Sequence, residues 1–224
     1  MGKLIVFEGI DGSGKSTQFD RLCNRLADES CSFMRLSFPR YDKPSSALVR
    51  MYLGGEFGDE PGTVNAYAAS SFFAVDRMAS YLCDWSRYYE EGGLILTDRY
   101  TTSNAIHQGA KLLSEERRSF FAWLYDYEFR LMGLPSPDLV IYMDIDANAA
   151  ALRLQKRQLL TGAVGDIHEN DLAYLALCAQ CGKQAADYYG WRKVACFKQE
   201  HESTEDEIHA AIYDMLAAER LIHN

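Results

Sequence analysis

Gly9, Gly12, Gly14, Lys15 and Ser16 fall within one octet, Gly-Ile-Asp-Gly-Ser-Gly-Lys-Ser, at residues 9–16. The spacing is that of a phosphate-cradling loop: Gly, four residues, Gly, Lys, then Ser or Thr. Glycines let the backbone turn its N–H groups inward, where side chains would obstruct an anion. Lys15 would add a mobile point charge for the outer phosphates, and the Ser16 hydroxyl a ligand for Mg²⁺. A second set is Thr97-Asp98-Arg99-Tyr100. Asp98 would hold Mg²⁺ directly or through water, and Arg99 would grip a second anion opposite the loop. A third is Arg153, Lys156 and Arg157, positive charge that a transferring phosphoryl group would need. A solvated helix face would show the same i, i+4 spacing at 153 and 157. A fourth is Phe73 and Arg77, four apart on one helical face, where an aromatic ring and a guanidinium could hold a nucleobase. Aromatics at that spacing also build ordinary cores, and the spacing alone leaves both readings open.

These residues need a frame that brings them together. Apolar, strand-like runs occur at 3–8, 32–38, 93–97, 138–143 and 193–197, with helical patterns between them. That alternation predicts an α/β, three-layer fold of the phosphate-loop NTPase type: a five-stranded parallel sheet with helices on both faces. The first strand would feed the phosphate loop, and a helix carrying Leu22 and Leu26 would aim its positive dipole end at the phosphates. Asp98 and Arg99 follow a strand, where the ligand crevice of such sheets lies. Gly54-Gly55 and Pro61-Gly62 mark a loop, and 62–91 reads as a long, core-spanning helix rich in Ala and aromatics. Residues 158–167 break the helical pattern and read as a flap, part of a short lid at about 154–169. With no repeat, linker or low-complexity tract, 1–224 reads as a single domain.

Composition narrows the partners. The formal net charge is −9, which argues against general nucleic-acid binding and makes each local cluster of Lys and Arg informative. A strand beginning within three residues of Met1 predicts no leader, and no apolar run has transmembrane length. Six scattered cysteines fit reduced thiols in the cytoplasm. Cys178 and Cys181 form a CxxC inside a helical stretch, 172–189, and without a second pair they read as core or helix-surface residues.

Taken together, the chain resembles the thymidylate kinases over essentially its whole length. The resemblance rests on Phe7 to Gln18, Phe38-Pro39-Arg40-Tyr41, Phe73 to Arg77, Asp98-Arg99-Tyr100 with Ser103-Asn104, Leu134-Pro135-Ser136-Pro137-Asp138, and Asp166-Ile167-His168-Glu169. It implies that Gly9, Ile10, Asp11, Gly12, Ser13, Gly14, Lys15, Ser16, Thr17 and Arg153 bind ATP. Phe73 would stack on thymine, Arg77 would reach a base carbonyl, and Asn104 would read the Watson–Crick edge. Phe38, His107 and Gln108 would complete the substrate pocket, with Arg40 and Arg99 near the acceptor phosphate and Tyr41 by the sugar. Lys15, Arg99, Arg157 and Asp11 would be catalytic, and Asp11, Ser16 and Asp98 would face Mg²⁺. The family is generally homodimeric, cytoplasmic and Mg²⁺-dependent. This chain departs from it in four places. Gly12 stands where many members carry a basic residue, and His107 and His168 replace usual aromatics. Thr161-Gly162-Ala163-Val164-Gly165 lengthens the flap. The implied activity is ATP-dependent phosphorylation of dTMP. Two other readings stay open: a kinase of another pyrimidine nucleotide or nucleoside, and a regulatory nucleotide-binding protein.

Overall fold

A computed structural model describes residues 1–161, 172–198 and 201–222. Along the chain β1 (Lys3–Glu8) leads into α1 (Lys15–Asp28) and β2 (Met34–Ser37). Next come α2 (Ala47–Leu53), α3 (Ala66–Ser80), α4 (Ser86–Glu90) and β3 (Leu94–Asp98). They are followed by α5 (Ser114–Tyr125), β4 (Leu139–Asp144), α6 (Ala147–Thr161), α7 (Leu172–Tyr189) and β5 (Arg192–Ala195). The two-residue strands β6 (Phe197–Lys198) and β7 (His201–Glu202) form an antiparallel pair before α8 (Glu205–Ala218).

Strands β1 to β5 make one all-parallel sheet in the order β2-β3-β1-β4-β5. Parallel strands covered on both faces read as continuous apolar runs, as β1 and β4 do. Successive side chains of β1 serve opposite layers. Ile5 and Phe7 join the core that includes Phe19, Leu22 and Phe120, while Leu4 and Val6 join Trp85, Tyr89 and Tyr100 on the other face. The carboxyl ends of β1 and β3 therefore lie side by side, and Phe7 pairs in register with Asp98. Order reverses around β1, so the crevice expected of such sheets opens at the phosphate loop.

The predicted 62–91 helix is interrupted. Pro61-Gly62 keeps 61–64 out of it, and the Asn65 side chain accepts from Ala68 N at 2.9 Å to cap α3. A π-helical turn at Tyr81–Trp85 then separates α3 from α4. Two more π-turns, Asn104–Gln108 and Asp126–Leu131, have no counterpart in the sequence pattern. Such turns are rare and recur at functional sites. Helix α6 continues through Thr161, so residues 158–161 are helical rather than flap. The rest of the expected lid, 162–169, lies outside the described residues, including Asp166 and His168. Cys178 and Cys181 are buried on α7, with burial pushing the thiol of Cys181 up to about 12 and that of Cys178 well above the ordinary value. They are core residues, as expected.

Candidate active site

The phosphate loop wraps one end of a cavity of about 740 Å³ lined by Ile10 to Gln18, Arg153, Arg157 and the start of α8. Gly12 and Gly14 take φ of 80° and 84°, a region that favours glycine. At Gly12 a Cβ would also stand 2.3 Å from the Ala150 carbonyl oxygen. Helix α6 thus packs directly on the loop, which leaves no room there for a side chain. In return α6 brings Arg153 over the loop, where its Nη1 donates to Ser13 O at 3.1 Å. Arg157, one turn on, lines the same cavity.

Lys15 and Ser16 open α1 and meet the end of β3. Lys15 Nζ lies 3.0 Å from Asp98 Oδ1, and Ser16 Oγ donates to Asp98 Oδ2 at 2.9 Å. Burial raises the Asp98 pKa, but Lys15, Arg99 and the Ser16 hydrogen bond outweigh it and hold the carboxyl below its ordinary value. Asp98 Oδ1 is buried and takes no hydrogen bond of good geometry. A hydroxyl and a hard carboxylate oxygen side by side suit Mg²⁺, which usually takes one or two protein oxygens and completes its shell with water and phosphate. Among the described residues no cluster of three or more His, Cys, Asp or Glu could cage a metal alone.

A second cavity, of about 270 Å³, opens on the other side of Lys15. Asp11, Lys15 and Ser16 line both cavities, so the two meet at the phosphate loop. Phe38, Tyr41, Phe73, Arg77, Arg99, Asn104, His107 and Gln108, all expected at a substrate, line this second cavity with Asp98. Arg99 is its central cation. It sits at φ 67°, donates from Nη2 to Asp11, and reaches Ser103 Oγ at 3.2 Å and His107 Nε2 at 3.0 Å through Nη1. Burial works against its charge, but Asp11, Glu8 and Asp98 outweigh it and keep the guanidinium firmly protonated. An Arg only donates, so His107 Nε2 accepts and the ring carries its proton on Nδ1, 3.6 Å from Cys178 Sγ.

Arg40 does not line the second cavity. Its Nη1 donates to Asp84, its Nη2 to Ser45 Oγ at 3.3 Å, and its Nε stands 3.6 Å from Asp76. Two acids on the α3–α4 segment thus hold the side chain. Arg77 is buried behind the cavity in a bidentate pair with Glu128, at 2.7 and 2.5 Å, and Asn104 Nδ2 donates to the same carboxylate at 3.0 Å. Glu128 was not expected from the sequence. Its only signal is an acid between Tyr127 and Phe129, two residues after Asp126, and its partners lie 51 and 24 residues away. Glu8 likewise closes the sheet end, accepting from Gly9 N, Thr102 Oγ1 and Ser103 Oγ.

A phosphate loop after β1, a strand-end acid on its lysine, and a second cavity sharing that lysine define a phosphate-loop kinase fold and site. The family model for thymidylate kinase matches residues 7–208. A thymidylate kinase of Mycobacterium tuberculosis is 34% identical over 175 residues, covering 75% of this chain and 78% of that one. One from Caenorhabditis elegans is 30% identical over 161 residues, covering 68% and 67%. The solved structure of a Candida albicans thymidylate kinase superposes with a TM-score of 0.75 at 22% identity, covering 100% of this chain and 96% of that one, and so shares the fold. The chain belongs to the thymidylate kinase family and is an enzyme.

Proposed function

We propose that the chain transfers the γ-phosphoryl group of ATP to dTMP, yielding dTDP and ADP, as a step of dTTP formation. The observation that carries this reading is the junction of two cavities on one lysine: Asp11, Lys15 and Ser16 line both. A nucleotide switch protein needs only the first cavity. ATP would lie along residues 9–17 with Arg153 and Arg157 above it, and the acceptor would lie between Phe73 and Arg99. Lys15, Arg99 and Arg157 would share the charge of the transferred group, and catalysis would come from positioning and charge neutralisation. Ser16 and Asp98 would hold Mg²⁺, with Asp11 beside it. The ion neutralises phosphate charge when bound.

The acceptor oxygen of a monophosphate is already anionic and needs no base. A nucleoside hydroxyl would need one, and the candidate at the end of β1, Glu8, already accepts from three donors. This supports a monophosphate acceptor over a nucleoside. The whole chain, 1–224, is read as one domain acting in the cytoplasm. Among the described residues no helix is long and apolar enough to cross a membrane. The Ala- and aromatic-rich 62–91 segment, on which Val75 and Leu82 are exposed, would supply the apolar surface of a homodimer.

The test is ADP release from ATP and Mg²⁺ with dTMP, its ribose counterpart, dUMP, UMP, dCMP, dGMP and thymidine. Preference for dTMP is expected. dUMP should trail by one buried methyl, about 0.8 kcal/mol. A protein that binds ATP but shows no acceptor-stimulated turnover would be a regulatory nucleotide binder instead.

A further inference from the structure

The far wall of the acceptor cavity hangs on a carboxylate with no exposure to solvent. Glu128, on the π-turn Asp126–Leu131, is 0% exposed. Its Oε2 accepts from Arg77 Nε, and its Oε1 accepts from both Arg77 Nη2 and Asn104 Nδ2. The other hydrogen of Asn104 Nδ2 goes to the Ser70 carbonyl oxygen at 3.1 Å. Carboxylates and carbonyls accept and never donate, so Asn104 must turn its nitrogen toward both. Its Oδ1 is then the atom left for the cavity that Asn104 lines, and among the described residues no hydrogen bond engages it. Arg77 is fixed in the same way. Of the five N–H groups on a guanidinium, Nε, one on Nη2 and one on Nη1 are committed to Glu128 and to Tyr100 O. Two N–H groups remain on a side chain that lines the cavity.

We propose that Glu128 is a specificity-determining positioning residue: it holds Asn104 oxygen-outward and Arg77 N–H-outward. The wall thereby offers an acceptor beside a donor. That pair complements a base edge with an imide N–H next to a carbonyl. It opposes an edge with a ring nitrogen next to an amino group, where acceptor would face acceptor and donor would face donor. The inference rests on the proposed pyrimidine monophosphate acceptor. Sites built to hydrogen-bond one edge reject its mismatch strongly, because buried polar groups are left unpaired.

Glu128→Gln separates positioning from mere packing. Its single oxygen would stay with Arg77, and its NH₂ would face Asn104 and favour the flipped amide. The expected result is a fall of at least tenfold in the kcat/KM ratio of dTMP over dCMP, carried by KM. A smaller change, with both substrates falling in parallel, would overturn the role. Should this variant fail to melt cooperatively, the wild-type protein decides. With ¹⁵N-labelled asparagine, the Asn104 side chain should show two slowly exchanging hydrogens, assigned by their loss in Asn104→Asp. Rapid exchange of both would overturn the proposal. A wild type that turns over no pyrimidine monophosphate refutes the proposed function itself. Turnover of dTMP with an unchanged ratio in Glu128→Gln refutes only the role of Glu128.

Discussion

Lys15 Nζ rests 3.0 Å from Asp98 Oδ1, so the mobile cation of the phosphate loop is parked on the acid that ends β3. Each is a counter-charge of the other. Lys15→Ala should therefore lower kcat by roughly 10²–10³, the cost of removing one donor aimed at developing charge. The fold should survive, because β1 and α1 are held by their apolar faces. Steady-state ADP release alongside a thermal melt checks both parts. Near-normal turnover would remove Lys15 from the transfer step.

Asp98 also links this site to acid stability. Its folded pKa lies below the ordinary 3.8, so the unfolded chain binds the proton first as pH falls. The contribution is whole above about pH 4 and is lost as pH drops through the lower, folded value. Asp98→Asn should flatten the acid limb of Tm against pH. If the variant and wild-type curves stay parallel below pH 4, the carboxylate is not held by Lys15 and Arg99 as described.

His107 reaches Arg99 at 3.0 Å and is backed by Cys178 of α7. On the proposed function it would act on the acceptor side, by fixing the guanidinium. Hydrogen bonds to charged groups contribute about 1.5–3 kcal/mol. His107→Ala should thus reduce kcat/KM for dTMP by roughly 10- to 100-fold, while Tm falls little. The same variant, assayed with dTMP and its ribose counterpart, reports whether this ring also reads the sugar. An unchanged kcat/KM would leave Arg99 positioned by Asp11 and Ser103 alone.

What the sequence revealed depended on how far apart the partners are. Strands β1 and β4 were legible because parallel strands buried on both faces are unbroken apolar runs. The phosphate loop was legible because its chemistry is packed into eight residues. Asp98 was legible because a strand end is a defined place. The partners of Arg40 were not legible, since Asp76 and Asp84 lie more than 35 residues on. Glu128 was invisible for the same reason: a buried acid announces itself only once Arg77 and Asn104 fold onto it. The π-turns that carry Asn104 and Glu128 follow from those tertiary contacts and leave no periodicity to read.

Gly12 marks a close approach rather than a flexible loop. Its φ of 80° costs a side-chain-bearing residue about 1–2 kcal/mol, before the clash with Ala150 O moves α6. Because α6 carries Arg153 and Arg157, Gly12→Ala should weaken ATP binding as well as lower Tm. Gly133→Ala is the matched control, since Gly133 takes a similar φ of 76° and a Cβ there meets nothing within 4 Å. Calorimetric titration of ATP would show the difference. Equal behaviour of the two variants would mean that α6 yields without cost.

Lys111 sits in an unusual setting for a lysine. Its Nζ donates to Val64 O at 2.8 Å and stands 4.8 Å above the Tyr52 ring, which in turn meets Phe73 edge-on. Burial pushes its pKa down from 10.5 to about 7, outweighing Cys178, which raises it. Between those values the unfolded chain binds a proton that the folded one does not, so stability must rise with pH across that window. Lys111→Met should remove that rise, giving a flatter Tm profile between pH 7 and pH 10. The same amine should react with acylating reagents near pH 8 far faster than ordinary lysines, which are protonated there. The two effects stand or fall together, because both follow from one proton leaving an amine held against Tyr52 and the 64 carbonyl. Parallel Tm profiles with unselective labelling would show that this ammonium stays charged, and that the Val64 carbonyl is met by an ion rather than a neutral amine.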